Sequence, residues 1–342
     1  MPPAIGRVLK FLRDKQVLHR LGVALSITVI AVACYVLYHI LRDINVEKVL
    51  DAISQIDNRA IVMAGIAVAC GYFTLTFYDL FALYAIGRRD VPYRIKALAA
   101  FTSYSVGHNV GASAFTGGAV RYRIYSGWDV NAIEVAKVCF LAGLTFWLGN
   151  IAVLGIGVAY HPEAASAIDL LPPAVNRVLA FVILAALVIY VAWVWVQPRR
   201  VGRGSWTVDL PDGPLTLLQI GIGIVDLTFC ALAMYMLVPA EPDLGFPVVA
   251  VVFVTATLLG FASHSPGGLG VFDAAMLVGL SQMDKEGLLA GMLLFRLLYY
   301  IVPFIIAVLL LTAREALISA RGRRAAPGAV IKPPLVNSEP PG

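Results

Sequence analysis

Seven apolar runs, at about 21–41, 60–86, 132–160, 174–197, 215–238, 246–262 and 290–313, set the terms on which this chain can fold. Each is close to the roughly 20 residues that a helix needs to cross a hydrocarbon layer. Inside such a layer every backbone N–H and C=O must be satisfied internally, so spans of this composition are expected to be helical. The balance of residue types agrees. Of 342 residues, 60% are hydrophobic and 14% are charged, against about 25% charged in soluble domains. The fold class expected is an all-α polytopic membrane protein with about six to eight transmembrane helices.

Two further stretches break the apolar pattern. SYSVGHNVGASAFTGGAVRYRIYSGW, residues 103–128, and SHSPGGLGVFD, residues 263–273, carry glycines, histidines and charges between hydrophobic segments. Paired Gly-interrupted segments in two halves of a membrane protein are the best sequence pointer to a transport site. Loop charge constrains how they sit. Loop 87–96 holds Arg88, Arg89, Arg94 and Lys96 against Asp90, and loop 198–214 holds Arg199, Arg200 and Arg203. Loops 161–173 and 239–245 hold acids without Lys or Arg, and the tail after Thr312 is basic again. Under the positive-inside rule these loops alternate in, out, in, out, in. Each broken stretch must then cross twice or not at all, which two re-entrant hairpins entered from opposite sides would satisfy. Eight full spans is the conventional alternative. The domain expectation is a cytoplasmic N-terminus over 1–20, a membrane domain over 21–313 and a disordered, Pro-, Gly- and Arg-rich cytoplasmic tail over 314–342. Both termini would face the cytoplasm of a bacterial inner membrane.

Other classes of function lack their signatures. Cys34, Cys70, Cys139 and Cys230 lie singly within apolar runs, without the clustering that a disulfide framework or zinc site needs. No basic domain lies outside the apolar segments, so nucleic acid is not an expected partner. No phosphate loop, dinucleotide fingerprint, zinc-protease helix or nucleophile elbow is present. Neither catalytic residues nor a cofactor or metal are expected, and the chain is not expected to be an enzyme.

Ionisable residues at membrane depth are costly and read as functional by default. Those singled out are Asp79, Asp226, Asp273 and Arg296, with Asp226 expected to pair with Arg296. Arg121 and Arg123 follow Gly117-Gly118 after Ala119 and Val120. The arginine fork suits phosphate, and free N–H groups of a glycine turn would add to an anion site. His108, Asn109, His264, Gly267 and Gly268 complete the expected substrate site, the histidines as hydrogen-bonding or proton-carrying groups.

TGGAVRYRIY at 116–125, PGGLGVFDAAML at 266–277 and FRLLYYIVP at 295–303 resemble, in order and spacing, three signature segments of the lysylphosphatidylglycerol flippase/synthase transmembrane family. The resemblance covers roughly residues 20–315. It implies an inner-membrane lipid translocator and puts Arg121, Arg123, Gly267, Gly268, Asp273 and Arg296 at motif positions. Asp273 stands where the family usually has Glu, and the cytosolic aminoacyl-transferase domain of bifunctional members is not expected in so short a chain. Membrane phospholipids are the expected partners, with self-association or a lipid-modifying enzyme as further ones. The alternative to translocation is a membrane enzyme or accessory subunit acting on lipid-linked substrates.

Overall fold

The computed structural model describes residues 46–325 apart from 111–112, 204–205 and 264–265. The expected N-terminal segment and first span, Cys34, His264 and the tail beyond residue 325 therefore lie outside the described residues, while residues 314–325, expected to begin a disordered tail, continue the last helix. What is described is an all-α polytopic membrane protein. A short amphipathic helix α1 (Val46–Gln55) leads into α2 (Asn58–Ala85), which Asp57 caps by accepting from the Arg59 N–H. The other long helices are α5 (Ala132–Tyr160), α7 (Pro173–Val196), α8 (Gly213–Leu237) and α9 (Gly245–Ser263). A final rod runs through α11 (Lys285–Arg296), a π-helical turn at Leu297–Ile301 and α12 (Val302–Ala325). Among the described residues six helices are long and apolar enough to cross a membrane, and they fall on six of the seven apolar runs. A two-stranded ribbon, β1 (Arg200–Arg203) with β2 (Trp206–Asp209), occupies a loop for which the sequence suggested no strands.

Both Gly-rich stretches fold back on themselves. In the first, α3 (Tyr93–Val110) and α4 (Ser113–Tyr125) pack as a helical hairpin, close enough that a Cβ on Gly117 would lie 3.2 Å from the Ser103 carbonyl oxygen. In the second, α9 packs against α10 (Val271–Gly279) across a turn in which Gly267, Gly268 and Gly270 all adopt positive φ, a conformation that a side chain disfavours. One detail departs from the sequence expectation. Gly117 and Gly118 lie inside α4, not in an open turn, so their backbone belongs to a helix.

The hairpins enter from opposite ends of the bundle. At the basic end Arg88 bridges Asp90 and Glu134 at 3.0 and 3.2 Å and donates to the Trp128 and Asp129 carbonyls, tying the mouth of the first hairpin to α5. The same guanidinium holds the Asp90 carboxyl below its ordinary range. At the acidic end α6 (Pro162–Asp169) lies beside the far end of α10, where a Cβ on Gly279 would meet Ile168. The tips meet between these ends, Gly267 lying beside the His108 carbonyl oxygen. Two long helices, α5 and α8, cross at Gly149 and Gly223, where an added Cβ would lie 2.6 Å from backbone. Small residues at such a crossing let membrane helices approach closely.

Ser126 and Ser281, both exposed, follow the exits of the two hairpins. Single cysteines at these positions, in a background lacking the native ones, are expected to react with an impermeant maleimide from opposite faces of sealed vesicles. Labelling of both from one face would contradict the inverted arrangement.

Candidate functional site

Two arginine–carboxylate pairs fasten the broken segments to the bundle. The first joins hairpin α3–α4 to α2. Arg121 Nε and Nη2 donate to both oxygens of Asp79, the shortest at 2.8 Å. Tyr125 Oη donates to Asp79 Oδ2 at 2.7 Å, and the guanidinium sits 4.8 Å from the Tyr104 ring centroid. Asp79 is 0% exposed and Arg121 is buried. Bidentate, charge-assisted geometry of this kind is the strongest that protein groups make, and removing either partner leaves a bare buried charge.

The second pair joins hairpin α9–α10 to the last rod. Arg296 Nη2 donates to both oxygens of Asp273 at 2.8 Å, while its Nη1 donates to the Gly267 carbonyl at 3.2 Å. Asp273 also accepts from the Gly270 N–H at 3.0 Å and so closes the first turn of α10. This corrects the expected pairing of Arg296 with Asp226. Asp273 lies on the returning leg of the hairpin, against the rod that carries Arg296, and takes the guanidinium there.

The rod itself is opened where the tips touch it. Pro303 has no N–H, so the carbonyl of Tyr299 loses the donor that an α-helix would supply, and the π-turn shifts the neighbouring pattern. Tyr72 Oη donates to the Tyr299 carbonyl at 2.9 Å, and Asn109 Nδ2 to the Tyr300 carbonyl at 3.0 Å. Asn109 thereby stitches the tip of the first hairpin to the rod.

Between the tips lies a cavity of about 560 Å³. Its walls are mostly aromatic: Tyr104 and Phe115 from the first hairpin, Phe146 and Trp147 from α5, Phe253, Phe261 and Phe272 from the second, and Tyr299 and Tyr300 from the π-turn. Asp226 is the carboxylate and His108 the imidazole on its lining, and Gly267 and Gly268 form part of its floor. Asp226 is 3% exposed, accepts from Tyr78 Oη at 3.0 Å and has the Cys230 thiol at 3.9 Å. His108 stacks on Tyr299, and its Nδ1 is buried without a hydrogen-bond partner. Phe115 is 83% and Trp147 52% exposed, so the cavity opens sideways, onto the surface that lipid covers.

The structure therefore gathers His108, Gly267, Gly268 and Asp226 at one cavity, with Asn109, Asp273 and Arg296 bracing its tips. It separates the expected phosphate pair. Arg121 is committed to Asp79, with Gly117 beside it, and Gly118 faces Cys139. Arg123, two residues on and so on another face of the helix, is exposed at the basic end and pairs with Glu315 at 2.5 Å. Sequence reasoning missed Tyr78, Trp147 and Phe261, apolar-run aromatics without a distinguishing pattern, and it noted Asp79 without its partner. Among the described residues no three His, Cys, Asp or Glu side chains lie close enough to share a metal ion.

No family model matches the chain. It is 30% identical over 281 residues to an uncharacterized protein of Synechocystis, covering 81% of this chain and 86% of that one. It is 24% identical over 276 residues to the inner membrane protein YbhN of Escherichia coli K12, covering 78% and 84%. Phosphatidylglycerol lysyltransferase of Staphylococcus haemolyticus is 27% identical over 290 residues, 81% of this chain but only 32% of the transferase. The chain thus matches about a third of the length of that relative.

Arg121→Met and Asp79→Leu are each expected to lower stability by about 3–5 kcal/mol, because each leaves one buried charge unpaired. The double variant should recover most of that loss in denaturant unfolding of the detergent-solubilised protein. Additive losses would contradict the pairing.

Proposed function

The chain belongs to the lysylphosphatidylglycerol flippase/synthase transmembrane family, and on that premise we propose that it moves a phospholipid or related amphiphile between the leaflets of a bacterial inner membrane, without chemical change to it. The observation that carries this reading is the sideways-opening cavity held between the tips of two opposed hairpins. Its volume falls in the roughly 300–1,000 Å³ range of small-molecule sites, and its exposed aromatic rim lets a headgroup enter while acyl chains stay in lipid. Non-helical backbone at that depth is tolerated where it lines a cavity. Each hairpin reaches the cavity from one end of the bundle, so a modest rocking of either would expose a bound headgroup to that side, as in transporters built from inverted halves.

In this reading the basic end faces the cytoplasm, as the positive-inside rule requires, and His108, Asn109, Asp226 and the Gly267-Gly268 turn contact the headgroup. Arg121, Asp273 and Arg296 act by holding the hairpins in place. A second reading, an accessory subunit presenting lipid-linked substrate to a separate enzyme, draws support from the partial match to the longer transferases.

Thr257 lines the cavity on α9. Thr257→Trp is expected to fill it and to slow transbilayer movement of a fluorescent phospholipid in proteoliposomes at least tenfold. Val188→Trp on the exposed face of α7 should leave the rate unchanged. Equal rates for all three proteins would reject the cavity as the route.

A further inference from the structure

Asp226 has an electrostatic problem that its surroundings do not solve. Its carboxylate is buried at the wall of an apolar cavity, and among the described residues no Lys or Arg forms an ion pair with it. Tyr78 supplies one good hydrogen bond and Cys230 a weak one. Ionised carboxylates left in such places without a counter-charge are strongly disfavoured. The two arginines close to the cavity bring no relief, since Arg121 is neutralised by Asp79 and Arg296 by Asp273. Among the described residues the cavity therefore carries one acid without a counter-charge and no arginine or lysine free of a carboxylate. Among the described residues a phosphate alone would find no unpaired guanidinium or ammonium there.

The walls point the same way. The faces of aromatic rings attract cations, and among the described residues no arginine lies over Phe146, Trp147 or Phe261 at the rim, whereas Tyr104, Phe272 and Tyr300 have one nearby. A carboxylate ringed by aromatic faces fits a quaternary or protonated amine. The groups around Asp226 on neighbouring elements are Tyr72 and Tyr78 of α2, Tyr104 of α3, Cys230 on its own helix and Tyr299 of the π-turn. Tyrosine and cysteine ordinarily stay neutral near pH 7. That leaves Asp226, and His108 across the cavity, as the groups able to exchange a proton there.

We propose that Asp226 takes either a proton or the ammonium of an amphiphile headgroup but not both, so that the cavity exchanges one for the other. Resting on the translocation reading above, this makes movement of an ammonium-bearing headgroup an antiport with protons. When the ammonium enters, the carboxyl loses its proton to water and the carboxylate pairs with the cation. When the headgroup leaves, a proton returns to the same oxygen atoms. The charge of the cavity is the same in both states, which keeps either state tolerable within the membrane.

The test uses the full-length protein in lipid nanodiscs and a short-chain phosphatidylcholine, whose quaternary ammonium has no proton to give. Binding is expected to release about one proton per molecule bound into a weakly buffered dye solution, and affinity should fall about tenfold per pH unit as pH drops through the carboxyl's titration. Asp226→Asn should abolish both the release and the pH dependence, Asp226→Glu should restore them, and Val188→Trp on the exposed face of α7 should leave them in place. Free choline that binds and releases protons as well as the lipid would identify a soluble amine as ligand, whereas the lipid alone doing so identifies the headgroup. Absence of binding, binding without proton release, equal release by short-chain phosphatidylglycerol, or release unaltered in Asp226→Asn would each overturn the proposal. Transport that persists in proteoliposomes without proton exchange would leave the translocation reading standing and remove this one.

Discussion

A backbone N–H or C=O inside hydrocarbon has no water to bond, so a broken helix survives there only if other groups meet its polar atoms. In this protein they do so at a few defined points. Asp273 takes the Gly270 N–H and Arg296 the Gly267 carbonyl, closing the turn of the second hairpin. Tyr72 and Asn109 take the two carbonyls opened by Pro303 and the π-turn. The Arg121–Asp79 pair holds the first hairpin on α2. Each side chain joins a broken element to a continuous one, and the cavity exists because the hairpin tips are held there without filling the space between them.

The charged residues consequently divide by role. Asp79 with Arg121 and Asp273 with Arg296 are neutral as pairs, and each pair joins a hairpin to a continuous helix. Among the described residues Asp226 has no such partner at the cavity wall, a placement that a purely structural acid would gain nothing from. Sideways access past Phe115 and Trp147 connects that acid to the lipid-facing surface.

How much of this could be read from the chain follows from what each feature depends on. The spans and the odd-even parity of the basic and acidic loops depend on local composition, and the two opposed hairpins are one of the two arrangements that parity allows, eight full spans being the other. The helical state of Gly117 and Gly118 was not legible, because glycine's local cost of about 1 kcal/mol in a helix is offset by close packing, of Gly117 on α3 and of Gly118 on Cys139 of α5, that only the tertiary structure supplies. Likewise, sequence order does not say which acid meets Arg296. Asp226 and Asp273 are both plausible from spacing, and the fold-back of α10 decides it. The aromatic walls are invisible for a simpler reason: Phe146, Trp147 and Phe261 look like any apolar residue of a span until the cavity is drawn around them.

The central claim is that an amphiphile enters the bundle between the hairpin tips. The most direct measurement is photo-crosslinking in native membranes with a phospholipid carrying a photoreactive group next to its headgroup, followed by peptide mapping. Adducts on the cavity-lining segments around Phe146–Trp147 and Thr257–Phe261, beyond the level found on the exposed face of α7, are the result predicted. Labelling confined to α7 and other outward faces, with the cavity walls unmarked, would contradict the account.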